Sequence, residues 1–223
     1  LPAYAGHYLE RDLKHHEVFS AEEGFEVAIP GTDWTYVGFS DIISRVTRKD
    51  GVMERGDLVL WENKTTGQMD VNYIAKLPLD YQILGYCWGV REKSGYGTPK
   101  WVMYNASLKS RLRQKQTENF GQFLDRVEAD YAEDPTKYFY REVLQFDDRA
   151  IDMFVDELSR WVIENLEPAL MTGYFSKNTR QCTIRGLCDF MPICTGAIRL
   201  SEALLHFERK EKSPRELKEE MTE

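Results

Sequence analysis

An α/β fold is what the order of periodicities along these 223 residues predicts. Strand-like runs, Trp34-Thr35-Tyr36-Val37 and Leu58-Val59-Leu60-Trp61, come early. A stripe of Ile151, Phe154, Val155, Leu158, Val162 and Leu166 comes late, at helical spacing. Between them a second helical and a second strand-like pattern alternate. With 42% hydrophobic and 30% charged residues, the composition is that of one globular core.

Taken in order, the pattern predicts a helix over residues 3–17, then strands near 24–29, 35–48 and 57–64. Lys49-Asp50-Gly51 supplies a turn signal between the last two. A helix over 73–90 comes next, with Pro78 and Asp80 as start signals for its Gln82–Tyr86 portion. Strands are expected at 100–105 and 137–145, and a long packing helix at 149–171. A cysteine-bearing loop and a last helix at 199–209 complete the domain, 1–208. Residues 209–223 are highly charged without an apolar face, so they are expected to be a disordered tail.

The chemistry concentrates at Gly38-Phe39-Ser40-Asp41 and, about twenty residues later, Glu62-Asn63-Lys64. Each segment ends a strand-like run. On a strand, Glu62 and Lys64 at i and i+2 point to one face, while Asn63 contributes its backbone carbonyl. If the hairpin register aligns Asp41 with them, two carboxylates and that carbonyl are hard oxygen donors for a divalent cation. Lys64 is then placed to orient or activate attacking water. The bland alternative is a surface ion pair on a strand edge. Downstream, Gln82 and Tyr86 lie one helical turn apart and share a face.

The order Gly-x-x-Asp, acid-x-Lys-Thr (Glu62-Asn63-Lys64-Thr65) and Gln-x-x-x-Tyr resembles the RecB-like branch of the PD-(D/E)xK nuclease superfamily. Trp101-Val102-Met103-Tyr104-Asn105, Phe123-Leu124-Asp125-Arg126-Val127 and Tyr138-Phe139-Tyr140-Arg141-Glu142 are similar to its phage-type members, so the likeness spans most of 6–194. The resemblance implies a restriction-endonuclease-like core, a central mixed β-sheet flanked by helices, with the catalytic part in about 1–105 and a helical, cysteine-bearing part in about 106–208. It implies a Mg²⁺- or Mn²⁺-dependent DNA exonuclease of the lambda-exonuclease kind, serving phage or bacterial recombination and repair. Asp41 and Glu62 are its metal ligands, Lys64 its catalytic lysine, and Gln82 and Tyr86 its contacts to the substrate strand.

Departures accompany the likeness. Relatives carry a metal-binding His on the first helix in a Gly-x-x-x-His arrangement; Gly6-His7 lacks that spacing, although His7-Tyr8-Leu9-Glu10 is similar to the residues that come after that His in relatives. His7 is therefore the candidate, with His15 and His16 as rivals whose bland reading is solvated surface. The second acid is Glu62 where Asp is commoner. The long Asp41–Glu62 interval suggests an extended hairpin bearing Arg45, Arg48, Lys49 and Arg55, which either track a phosphate backbone or form an ordinary charged tip. The chain starts at Leu1 without a Met, so upstream residues remain open.

Cys182, Cys188 and Cys194 resemble the C-terminal cysteines of an iron–sulfur staple in some relatives, which implies a [4Fe–4S] cluster with Cys87 as fourth ligand. The tighter x2 spacing is absent, and Cys87 sits mid-chain, turned about 100° from Tyr86 on a helix. An Fe–S cluster, zinc or plain buried thiols all stay open. Disulfides are not expected, because nothing indicates export.

A net charge of −8 weighs against nucleic acid at first sight, yet the charge is uneven. Acids gather at 118–134, 147–167 and the tail; bases gather at 45–55 and at Lys109, Arg111, Arg113 and Lys115. The second basic group either guides DNA or is a solvated loop. No apolar run approaches the ~20 residues of a membrane span, so a cytoplasmic protein in a bacterial or phage-infected cell is expected. Expected partners are linear DNA ends, further copies in a ring, and a helicase or annealing protein. Two rival functions remain: a structure-specific endonuclease on the same fold, and a non-catalytic DNA-binding or assembly module. A module of that last kind would be expected to carry a broken motif, and all five motif residues are present.

Overall fold

The computed structural model describes residues 2–93, 95–184 and 186–208. It divides the chain into two compact units, Leu1–Pro168 and Ala169–Glu223. The charged-tail expectation for 209–223 lies outside the described residues.

The first unit opens with helix α1 (Pro2–His15), followed by strands β1 (His16–Ala28), β2 (Thr35–Val46) and β3 (Leu58–Thr66). After a short helix α2 (Val71–Ala75) come helix α3 (Tyr81–Lys93) and strand β4 (Trp101–Leu108). Helices α4 (Phe120–Glu133) and α5 (Pro135–Tyr138) lead to β5 (Phe139–Gln145) and helix α6 (Asp148–Trp161), which continues into a π-helical turn, Val162–Leu166. The five strands form one sheet in chain order. β3 and β4 are parallel and every other pair is antiparallel, so this is a mixed sheet flanked by helices. Among the described residues no helix is long and apolar enough to cross a membrane.

Two apolar clusters occupy the two sides of the sheet. Leu58 and Leu60 of β3 point to one side, where Ile83, Leu84, Cys87 and Trp88 of α3 and Ile151 and Phe154 of α6 join them. Val59 and Trp61 point to the other, against Val46, Met53, Trp101 and Met103. Tyr131, Tyr138 and Phe139 form a third cluster, against which Tyr4 and Tyr8 of α1 pack. α3 lies very close to the strands because two glycines give it room. A Cβ on Gly85 would sit 2.0 Å from the Tyr36 hydroxyl, and one on Gly89 would sit 2.3 Å from the Phe25 ring. The Phe25 ring is wedged between α3 and Gly38, its neighbour on β2, where an added Cβ would come within 2.5 Å.

Several boundaries differ from the sequence expectation, each for a local reason. α1 stops at His15 and β1 begins at His16, far earlier than residue 24. β1 is an edge strand, so its polar Glu17, Ser20 and Glu22 are tolerated facing outward. The helix expected over 73–90 is two helices parted by a 3-10 turn, Leu77–Leu79. Pro78 lies in that turn, and Asp80 starts α3 afresh by accepting the Gln82 N–H at 2.8 Å. α4 was not expected at all. Asn119 and Gln122 close a reciprocal capping box at its start, and Leu124, Val127 and Tyr131 run along one side. The turn after β2 forms as expected: Asp50 and Met53 exchange both backbone hydrogen bonds at 3.0 Å around Gly51, at φ 61°.

The second unit is irregular. Helix α7 (Glu167–Thr172) spans the boundary, then a 3-10 turn, Thr179–Cys182, precedes helix α8 (Met191–Thr195). The expected last helix is a 3-10 turn, Leu200–Leu205.

Candidate active site

The β2–β3 ladder ends at the pair Ile42–Trp61. One step further, Asp41 stands opposite Glu62, but the strands there are joined by a side chain instead of the ladder. The Asn63 N–H donates to the Asp41 carboxylate at 2.7 Å. The N–H and C=O of one strand residue point the same way, so the Asn63 carbonyl is also directed toward Asp41. On its other flank, Asp41 stands opposite Glu22, between the pairs Glu23–Ser40 and Ala21–Ile42. Glu22 has φ 54°, the only positive value for a non-glycine among the described residues. Asp41 thus sits where both ladders break, and irregularities of this kind re-aim side chains.

Glu62 continues the Leu58–Leu60 line and points to the α3 side of the sheet. Its side chain is 2% exposed. One oxygen pairs with the Lys64 ammonium; the other, Oε2, is buried with no hydrogen-bond partner. Among the described residues only Glu23 and Ser159 share that condition. An orphaned buried carboxylate oxygen is costly. Burial pushes the Glu62 carboxyl above the usual glutamate range; the Asp41 and Asp80 charges add to the rise, and Lys64 opposes it. Burial works against the Lys64 charge, but the pairing with Glu62 and the proximity of Tyr86 and Asp41 hold its ammonium above the ordinary value.

α3 brings Gln82 and Tyr86 to the same neighbourhood. The Gln82 amide donates to the Tyr86 hydroxyl at 2.7 Å, which fixes the two as a unit. Asp41, Glu62, Lys64, Gln82 and Tyr86 are therefore gathered at one end of the sheet. It is the end where the parallel strands β3 and β4 finish, the usual ligand side of such strands.

The donor set fits a hard divalent cation. It consists of the Asp41 carboxylate, the orphaned Glu62 oxygen and the Asn63 carbonyl, all oxygen. Among the described residues no three His, Cys, Asp or Glu side chains cluster for a metal, so the set depends on that backbone carbonyl. His7 is not brought to it. Its ring lies 4.4 Å from Tyr8 and 6.3 Å from Phe139, on the α1 side of the sheet, because α1 packs there through Tyr4 and Tyr8.

Behind the site, on the α1 side, runs a chain of polar contacts that the sequence did not announce. The Asn105 amide donates to the Asn63 side-chain oxygen at 3.0 Å. Arg141 donates to Asn105 at 2.6 Å and grips Asp12 with both terminal nitrogens, one at 2.9 Å. The guanidinium also lies 3.9 Å from the Tyr8 ring centroid. Asn105 and Arg141 face each other across β4 and β5, and Asn63 aligns with Asn105 across β3 and β4. Those long-range registers have no local signature.

His16, expected among solvated histidines, is instead buried in a second chain. The Trp61 indole donates to the Ser44 hydroxyl at 2.7 Å; Ser44 contacts His16 Nδ1 and His16 Nε2 contacts Asp50, each at 3.3 Å. Arg11 closes the chain on Asp50. Burial lowers the His16 pKa, so the ring is neutral, with the Ser44 hydroxyl donating to it. Serine, histidine and aspartate follow one another as in a nucleophilic triad. The serine hydroxyl, however, is fully enclosed and already hydrogen-bonded on both sides, so it has no route to a substrate.

Cys87 does not fit the role of cluster ligand. It is fully buried among the α3 and β3 apolar residues, and burial raises its thiol to about 12. A cluster needs thiolates. In the second unit, Cys182, Cys188 and Cys194 are free thiols, the first two half-buried and the last exposed. The basic hairpin residues Arg48, Lys49 and Arg55 lie beyond Val46, about 16 Å or more along β2 from Asp41 at 3.3 Å per residue. Compared with known protein families and with curated proteins, the chain matches none.

Proposed function

We propose that this end of the sheet is the active site of a divalent-metal-dependent deoxyribonuclease that degrades DNA from its ends. The observation that carries the proposal is Glu62: a buried carboxylate half-neutralised by Lys64, with its second oxygen unpaired, on the residue that stands opposite Asp41. A purely structural ion pair gains nothing from an orphaned oxygen. A cation-binding acid is completed by its cation.

In this reading Asp41, Glu62 and the Asn63 carbonyl hold Mg²⁺ or Mn²⁺. The chemistry such an ion supplies when bound is polarisation of the scissile phosphate and acidification of water. Lys64 positions the attacking water at its ammonium, or steadies charge developing on the phosphoryl oxygens. Gln82 and Tyr86, already joined by a hydrogen bond, present a rigid edge to the substrate strand. Asn63 keeps Asp41 aimed by donating its backbone N–H. DNA recombination or repair is the setting that suits end-directed degradation.

End-labelled linear DNA incubated beside covalently closed circular DNA, with Mg²⁺, Mn²⁺ or EDTA, tests the proposal. Metal-dependent loss of the linear substrate alone is expected, abolished by Lys64→Ala and by Asp41→Ala. Nicking of the circle moves the reading to an endonuclease. Cleavage retained in both variants overturns the site, and binding without cleavage under any metal points to a non-catalytic module.

A further inference from the structure

Where β4 ends, the chain enters a basic segment held in place by its neighbours. Leu108 pairs with Thr66, and the Lys109 N–H donates to the Thr66 carbonyl at 2.8 Å. The segment therefore departs from a point two residues beyond Lys64 on the adjoining strand. The next residues are fastened to α4. The Ser110 N–H donates to the Tyr131 hydroxyl at 3.0 Å, and the Ser110 hydroxyl donates to Asp130 at 2.9 Å. That hydroxyl also accepts the Leu112 N–H at 3.2 Å. Arg126, itself bound to Glu118, donates to the Arg113 carbonyl at 2.8 Å.

Ser110 and Leu112 are half-buried while Lys109, Arg111 and Arg113 are exposed, the alternation of an extended segment. None of these three cations forms an ion pair among the described residues. The nearby acids are otherwise engaged: Glu118 binds Arg126, and Asp130 binds Ser110 and Tyr138. In a chain of net charge −8, three aligned and unpaired cations on a fastened backbone are the unusual case.

We infer that Lys109, Arg111 and Arg113 form a strap that tracks the phosphates of one polynucleotide strand as it leaves the site. The inference rests on the nuclease reading for its substrate, and it names where that substrate runs. Successive cations advance about 6.6 Å on an extended chain, a repeat suited to consecutive phosphates of a single strand. Because the backbone is already ordered, little freedom is lost on binding. Lys115 is left out of the strap, since its charge lies against Glu118.

The test is the salt dependence of single-stranded oligonucleotide binding, measured without metal in a Lys64→Ala background. The triple variant Lys109→Gln, Arg111→Gln, Arg113→Gln is compared with its parent between about 50 and about 200 mM salt. Each lost phosphate contact lowers the slope by about 0.7 for single strands, so a drop of about 2 is expected, with unchanged thermal unfolding. A slope equal to the parent's overturns the strap, and leaves the nuclease reading standing if the wild type cleaves. A lost slope in a protein that never cleaves keeps the strap and sinks the nuclease reading. A parent that binds no oligonucleotide overturns both.

Discussion

The two sides of the sheet around Glu62 and Asn63 both carry buried polar side chains, and they use them differently. On the α1 side every link is closed: Trp61 to Ser44 to His16 to Asp50 to Arg11, and Asn63 to Asn105 to Arg141 to Asp12. On the α3 side Glu62 pairs one oxygen with Lys64 and keeps the other unpaired. Closed networks fix structure, whereas a buried carboxylate oxygen left open carries a cost that a bound ion would relieve. Residue type alone points to the closed side, where Ser44, His16 and Asp50 follow one another; the proposed site is on the other.

The largest effect that would break this contrast is on cleavage. Lys64→Ala should lower the rate at least about 100-fold while DNA binding persists. Ser44→Ala should leave the rate of the folded protein unchanged. Loss of cleavage in folded Ser44→Ala protein would exchange the roles of the two sides. Next in size is Arg141→Met, which strands the Asp12 carboxylate, mostly buried, and should cost about 2–3 kcal/mol in urea unfolding. Its effect on cleavage should be smaller than that of Lys64→Ala, since Arg141 reaches Asp41 only through Asn105 and Asn63. Gly89→Ala comes third. A helical Gly→Ala gain of about 1 kcal/mol competes with forcing a methyl against the wedged Phe25 ring, an overpacking cost of about 1–3 kcal/mol. A net loss of up to about 2 kcal/mol should appear in thermal unfolding.

The smallest effect is the most discriminating, because it has opposite signs on the two sides. Glu62 has a raised pKa, so the stability tied to its protonated form is fully present below the ordinary glutamate value of about 4.3 and is lost as pH rises through the folded-state value. Glu62→Gln should therefore be more stable than wild type at neutral pH, the gain vanishing in acid. Burial alone would raise Asp50 as well, but its bonds to Arg11 and His16 bring the net shift below the usual aspartate range. Its stabilisation is present above about 3.9 and is lost as pH falls through the folded-state value. Asp50→Asn should accordingly be less stable at neutral pH, the deficit closing in acid. Unfolding curves of both variants across the acid range give the two signs.

What the sequence made legible was local. Glu62 and Lys64 at strand spacing, Gln82 and Tyr86 one turn apart and the Asp50-Gly51 turn each depend on neighbours within a few residues. The stripe of α4, Leu124, Val127 and Tyr131, with its Asn119–Gln122 cap, was equally local and could have been read. The long-range pieces could not. That Asn105 stands beside Asn63, and Arg141 beside Asn105, depends on a parallel crossover from β3 to β4 and a return through α4 and α5. His16 looked like helix surface because nothing near it in sequence marks Ser44 and Asp50 as its partners. Gly85 and Gly89 reveal their purpose only once Tyr36 and Phe25 are seen beneath them.

Calorimetric titration of Mn²⁺ into the wild type and into Glu62→Gln tests most directly whether the open oxygen is a cation ligand. The prediction is saturable binding of about one ion per chain at the wild-type site, lost in Glu62→Gln although that protein is folded and more stable. Equal binding by the two proteins, or none by the wild type, would contradict it.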